Sequence, residues 1–282
     1  MPSYFRPDTL AEATAFLAQF GGTILAGGTD YFPQVLGKRP ASPVVDISGL
    51  TDLEGIQFFP QHITIGALTT WTTIAQTKLP PCFEGLQAAA SEVGSIQIQN
   101  RATIAGNLCN ASPAADGCPC LLALDAEVKL ASASGVRRMP LNDFLIGNRR
   151  TKRRADEILT AIILPRDVEN AASSFLKLGA RRYLVISIAM VAAVLSVDEK
   201  DNISKVRVAV GSCSARALRL RELESEIVGL SLAEGFDGIV EARHLASLSP
   251  IDDVRGTAEY RSDATLTLIR RTLEECAEKL RT

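Results

Sequence analysis

The chain has 282 residues, enough for two or three compact units, and 46% of them are apolar, so a sizeable core can form. Thirty basic against 32 acidic residues leave a net charge of −2, which excludes the basic footprint of a nucleic-acid binder. There is no basic start before an apolar stretch and no apolar run long enough to span a membrane. Six cysteines are too few for a disulfide scaffold, so the expectation is a cytoplasmic chain with reduced thiols.

In chain order, the first element is a helix. Asp8 is placed to cap it, Leu10, Ala13, Phe16, Leu17 and Phe20 share one face, and Gly21 and Gly22 end it. "TILAGG" (23–28) reads as a strand running into paired glycines, with a possible helix after Asp30. "VVDIS" (44–48) is the next strand, and "ITIGALTTWTTIAQ" (63–76) starts as a strand and turns helical near Thr69. "LQAAASEVGSIQIQN" is a helix that loses its pattern at Gly94. Gly106, Asn107, Asn110 and Pro113 then predict a long turn. A short helix "PCLLALDA" and a strand "EVKLAS" follow. The basic run "NRRTKRR" (148–154) reads as a solvated loop or as a contact face for a partner or an anionic cofactor. "DEILTAIILP" is a strand closed by Pro165, and the segment after it is the best boundary. Residues 183–197 and "SKVRVAVGS" are β-rich with a hairpin turn at "DEKDN", and the pattern is helical from Leu218 onward.

The common catalytic constellations are missing from the sequence. The two histidines, His62 and His244, are far apart, and neither a nucleophile elbow nor a Walker lysine is present. Cys118 and Cys120, with Cys109 upstream, are read as small apolar residues, because a C-x-C spacing alone is a weak metal signal. The glycine sites carry more. "AGGTD" is not G-x-G-x-x-G, yet Gly27 and Gly28 can adopt positive φ and turn main-chain N–H groups toward an anion, with Thr29 adding a hydroxyl. The other reading is an ordinary strand-to-helix turn. "TIAGN" (103–107) is a second such segment, and Asp116 in "ASPAAD" offers a fixed acceptor. One long phosphate-bearing ligand could span all three.

The segments "AGGTD", "IGALTT", "QIQNRATIAGN", "ASPAAD", "LALDAEV", "DEILTAIILP", "FLKLGARR" and "EYR" occur in the order found in one family. They resemble the FAD-binding (medium) subunits of molybdenum hydroxylases of the xanthine dehydrogenase and carbon monoxide dehydrogenase type. The resemblance covers nearly the whole chain. It implies an α+β fold: a PCMH-type FAD-binding domain of two α/β lobes (1–58 and 59–170) and a smaller C-terminal α+β domain (171–282) of the CO dehydrogenase flavoprotein type. It implies FAD on this chain, and [2Fe–2S] clusters and the molybdenum cofactor on partner subunits. Electrons would pass from a small [2Fe–2S] subunit, fed by a large molybdenum subunit, through FAD to an external acceptor. The assembly would be a dimer of heterotrimers, without nucleic acid and without a membrane span. No catalytic acid–base set is then needed on this chain, because the cofactor carries the chemistry.

Carried over by motif, the resemblance implies that Leu25, Ala26, Gly27, Gly28, Thr29 and Asp30 wrap the FAD diphosphate, with Asp30 fixing the loop. Thr103, Ile104, Ala105, Gly106 and Asn107 would form a second FAD loop, and Asp116 would lie near the ribityl and phosphate region. Val93 and Gly94 would lie near the ring system, and Leu159 and Lys177 would approach FAD from the two sides of the linker. Three positions depart from the family pattern: Ala105 replaces a glycine, Val185 stands where an aspartate is usual, and Gln99 stands where arginine is common. A methyl at residue 105 is tolerable if φ is negative there. The chain has no insertion long enough for an extra [4Fe–4S] cluster. A free-standing FAD-dependent oxidase of the same fold is the alternative reading, and a ligand-binding module that has lost FAD is a third.

Overall fold

The computed structural model describes residues 3–38, 40–167, 170–236 and 238–281. The N-terminal unit is a three-stranded parallel sheet with one packed helix. Strands β1 (Tyr4–Phe5), β2 (Thr23–Leu25) and β3 (Val44–Asp46) lie in the order β1-β3-β2. Helix α1 (Leu10–Phe20) buries Ala13, Phe16 and Leu17 in the same small core as Val45 and Ile47. Its cap is Thr9, whose hydroxyl accepts from the Glu12 N–H, and not Asp8. The Asp8 N–H instead donates to the Glu12 carboxylate, so Thr9 and Glu12 share the capping work. Helix α2 (Tyr31–Val35) is short and buries none of its side chains.

Strands β4 (Ile56–Phe58) and β5 (His62–Gly66) open the second unit. Helices α3 (Trp71–Gln76), α4 (Glu84–Glu92) and α5 (Ile96–Gln99) follow. The long turn expected around Gly106 is instead helix α6 (Ile104–Asn110), because Thr103 caps it and Ile104 and Leu108 anchor it in the core. Only its end turns, where Ala111 adopts φ +46°. Helix α7 (Gly117–Ala123) is buried throughout. Strands β6 (Glu127–Ser132) and β7 (Gly135–Pro140), the turn helix α8 (Leu141–Phe144), the ribbon β8 (Leu145–Gly147) and β9 (Arg150–Thr151), and β10 (Ile158–Pro165) complete the unit. Its antiparallel sheet runs β4-β5-β10-β6-β7. The basic run is therefore half ribbon and half loop, organised by buried Glu157. That carboxylate takes two bonds from the Arg137 guanidinium and one from the Arg154 N–H, and Arg153 donates to the Glu157 carbonyl.

The C-terminal sheet, β11 (Ala172–Leu178), β12 (Ala189–Val197), β13 (Ile203–Gly211) and β14 (Leu218–Arg219), is antiparallel in that order. β12 starts six residues later than the β-rich run at Tyr183 suggests. The carbonyls of Tyr183 and Leu184 are bound by Arg181, and that of Val185 by Lys177, which holds the segment off the sheet. The predicted hairpin turn is present, with Asp198 accepting from the N–H groups of Lys200 and Asn202. Among the described residues after Leu218 only α9 (Arg221–Ile227) and the 24-residue α10 (Ala258–Arg281) are α-helical, and those between them form turns and short 3-10 pieces.

The two faces of this sheet belong to different cores. Met190, Ala192, Val194 and Ala209 point into the core of the second unit with α4 and α7. Val191, Ala193, Val208 and Val210 point the other way, against α9 and α10. The alternation of β12 and β13 is buried on both sides, which accounts for their near-continuous apolar sequence. No helix among the described residues is long and apolar enough to cross a membrane.

Candidate functional site

The paired glycines sit where the parallel strand β2 ends. Gly28 has φ +78°, a conformation that favours glycine. Gly27 is pressed against the chain: a Cβ there would lie 2.0 Å from the Arg101 carbonyl oxygen. The loop 25–30 is thus docked on the segment just before Thr103. Two of its carbonyls are used, Leu25 accepting from Ile47 N–H and Gly28 from Phe32 N–H. By contrast, the N–H groups of Gly27, Gly28, Thr29 and Asp30 have no acceptor among the described residues. Successive unpaired donors around a positive-φ residue form an anion-binding concavity. Asp30 does not fix this loop through its side chain. It is exposed and makes no capping bond at the start of α2.

The second glycine segment is built differently. Ile104 N–H donates to Thr69 O at 3.0 Å and Ala105 N–H to Ala67 O at 3.3 Å. Gly106 N–H donates to Thr103 Oγ1 at 3.1 Å and Asn107 N–H to Thr103 O at 3.0 Å. All four donors are consumed inside the protein. What it leaves open is the Asn107 side chain, whose Oδ1 is buried without a hydrogen-bond partner among the described residues. Ala105 is helical, so its methyl is accommodated and packs in the core. Leu159 also lies in that core, at the bulge of β10, with its side chain 3% exposed. It supports α6 from beneath.

A second cluster gathers Asp116, Lys177 and the turn at Val93 and Gly94. Lys177 Nζ donates to Asp116 Oδ2 at 3.0 Å, to Glu92 O at 3.4 Å and to Val185 O at 3.3 Å. Ser187 Oγ donates to Asp116 Oδ1 at 2.6 Å. Burial pushes the Asp116 carboxyl above its usual range, and the ammonium of Lys177 opposes that rise. Val93 ends α4, and Gly94 turns the chain with φ +56°. Val185, at the departure from the family pattern, packs against Gly179, and Gln99 ties α5 to the end of α4 through Ser91 O at 2.9 Å. Beside this cluster a cleft of about 380 Å³ opens between α4 and β11, lined by Glu92, Phe175, Lys177, Arg181 and Arg182 among others. Ser187 and Glu92 escape sequence reasoning, because a serine and a glutamate outside any motif carry no signal of their own.

The cysteines of α7 are buried, and burial pushes the Cys118 thiol up to about 12 and that of Cys109 to about 11. No cluster of His, Cys, Asp and Glu able to hold a metal exists among the described residues. The residues fit a flavin dinucleotide. Four successive main-chain donors without an acceptor among the described residues suit an anion such as a diphosphate, and the buried Asn107 Oδ1, without a partner among them, can accept from a ligand donor.

Comparison with known proteins agrees. Residues 1–167 match the family model for the FAD binding domain in molybdopterin dehydrogenase, and residues 174–276 match the CO dehydrogenase flavoprotein C-terminal domain. The chain is 37% identical over 237 residues to the nicotinate dehydrogenase FAD-subunit of Eubacterium barkeri, covering 81% of this chain and 80% of that one. It is 32% identical to the xanthine dehydrogenase FAD-binding subunit of Escherichia coli O157:H7, covering 97% and 95%. The solved structure of reconstituted CO dehydrogenase from Oligotropha carboxidovorans superposes with a TM-score of 0.89 at 26% identity, covering 99% of this chain and 98% of that chain. The chain belongs to the family of FAD-binding subunits of molybdopterin dehydrogenases, with a CO dehydrogenase flavoprotein C-terminal domain following its FAD-binding domain.

Proposed function

We propose that the chain is the electron-transfer subunit of a cytoplasmic molybdenum hydroxylase. Its partners would be a small [2Fe–2S] subunit and a large molybdenum-cofactor subunit, paired as a dimer of heterotrimers. Residues 1–58 and 59–170 would form the two FAD-binding lobes, and residues 171–282 would close over them. FAD, when bound, accepts electrons singly from an iron–sulfur cluster and passes them on to an acceptor. The chain's own part is to hold and orient it. The N–H groups of residues 27–30, without an acceptor among the described residues, would take the diphosphate, Gly27 seats their loop against Arg101, and Asn107 Oδ1 would accept from the ligand. The Asp116–Lys177 pair and the turn at Val93 and Gly94 set the polarity at the other end.

The observation that carries this reading is the row of four main-chain donors, at residues 27–30, without an acceptor among the described residues. Support for the partners comes from relatives that are themselves named as subunits or medium chains. The test is purification from the native source with flavin and metal analysis. Acid precipitation should release FAD into the supernatant, and flavin in the lone chain should bleach with dithionite but not with the organic substrate. Adding the partner subunits should restore bleaching by substrate. A lone chain whose flavin is reduced by an aldehyde or heterocycle would instead be a free-standing oxidase.

A further inference from the structure

The motif "EYR" near the C-terminus has no part in the site described so far. Its arginine, Arg261, on the first turns of α10, is 3% exposed. One side of its guanidinium is held by Asp253, which takes Nη2 at 2.7 Å. The other side donates from Nη1 to two carbonyls, that of Ile188 and that of Ser212, the latter at 3.2 Å. Both carbonyls belong to segments that reach toward Asp116. Ile188 directly follows Ser187, whose hydroxyl binds Asp116 Oδ1 at 2.6 Å. Ser212, with φ +64°, donates its N–H to Pro113 O at 2.9 Å, three residues before Asp116.

We propose that Arg261 is the positioning residue of the Asp116–Lys177 pair, fixing from the C-terminal helix both peptide segments that aim the Asp116 carboxylate. It touches neither the carboxylate nor the lysine. Its Nη1 sets both the backbone beside Ser187 and, through Ser212, the backbone entering α7, while Nη2 is anchored on Asp253. A planar guanidinium spans two carbonyls and a carboxylate at once, and an ammonium does not, so lysine is not a conservative replacement. The inference rests on the FAD reading only in that the pair it aims belongs to the proposed flavin site.

The experiment uses the full chain carrying Arg261→Lys, with Arg261→Gln as a second variant. Arg207→Lys serves as control, because Arg207 is also buried and ion-paired, to Asp167, outside this set of bonds. Hydrogen–deuterium exchange without flavin should speed up about tenfold over residues 184–188 and 112–116 in Arg261→Lys and not in Arg207→Lys. The FAD dissociation constant should rise by about the same factor, and the flavin potential should shift. In a double-mutant cycle, Arg261→Lys and Ser187→Ala should be less than additive. Unchanged exchange over both segments, or full additivity, overturns the proposal. So does a loss of FAD affinity that merely tracks melting temperature in both Arg261→Lys and Arg207→Lys. If the wild-type chain binds no FAD, the flavin reading fails, and the exchange data still decide the role of Arg261.

Discussion

Two segments that read alike in sequence, "AGGTD" and "TIAGN", are opposite kinds of structure. In the first, four main-chain N–H groups around Gly28, at φ +78°, have no acceptor among the described residues. In the second, every N–H from Ile104 to Asn107 is already bonded, two of them to the loop of Ala67 and Thr69. A glycine next to a threonine therefore does not define an anion loop. What matters is whether the donors have been spent. The first segment keeps its donors available for a ligand, and the second is a capped helix that keeps only the Asn107 side-chain oxygen available.

Substitutions at the two glycine segments break or sharpen this contrast. The largest effect is expected from Gly27→Ala, which drives a methyl to 2.0 Å from the Arg101 carbonyl. The loop must leave its seat, at a cost of about 2–4 kcal/mol, and FAD content should fall to background on purification. Gly28→Val comes next. It forces a β-branched residue into positive φ and meets the Phe32 ring at 2.5 Å. FAD affinity should drop about a hundredfold by titration, while circular dichroism of the C-terminal domain stays native. Full flavin occupancy in this variant would reduce the loop to an ordinary turn. In the capped helix, Thr103→Val removes the Oγ1 that accepts from Gly106. That should cost about 1 kcal/mol of stability in denaturant melts, with less than a tenfold change in FAD affinity. A larger loss of affinity than of stability would put Thr103 on the ligand.

Smaller effects test the surroundings. Of the basic run, Arg153 is committed to the carbonyls of Arg154 and Glu157, whereas Arg149, Arg150 and Arg154 are exposed. Reversing those three exposed charges should slow assembly with an iron–sulfur partner by about tenfold at low salt and hardly at all at high salt, read by stopped-flow mixing. Equal rates at low salt would leave the run as solvated ribbon. Smallest of all is Gly106→Ala. Its Cβ would come within 2.9 Å of Thr103 Oγ1, a strain set against the gain of alanine over glycine in a helix. The net change in stability should lie within about 0.5 kcal/mol.

The sequence was legible where a side-chain pattern and a local rule agree. The face of α1, the parallel β2-α2-β3 passage and the hairpin at Asp198 follow from periodicity and turn chemistry alone. The resemblance pointed correctly to an α+β chain with an FAD-binding domain and a CO dehydrogenase flavoprotein C-terminal domain. Misreadings arose where a distant partner overrides a local cue. Gly106 and Asn107 look like turn residues, but Thr103 caps them into a helix. Tyr183 to Val185 look like a strand until Lys177 and Arg181 claim their carbonyls. Asp30 looks like a loop anchor and makes no bond. Ser187 meets Asp116 across 71 residues of chain, and Arg261 meets Ile188 and Ser212 across 73 and 49, separations over which no spacing rule operates.

The central strand β12 of the C-terminal sheet is covered on both faces: Met190, Ala192 and Val194 are sealed into the second unit, and Val191, Ala193 and Leu195 are sealed in the core under α10. A continuous apolar contact of this kind is a weld. The flavin cannot be admitted by swinging the last hundred residues aside, because that motion would tear a core open. Exchange of the cofactor must instead follow local loosening, of the glycine loop 25–30 and of the strap 179–187 held by Lys177 and Arg181. Bound flavin should therefore leave at a rate set by those two short segments, and dilution alone should strip it slowly.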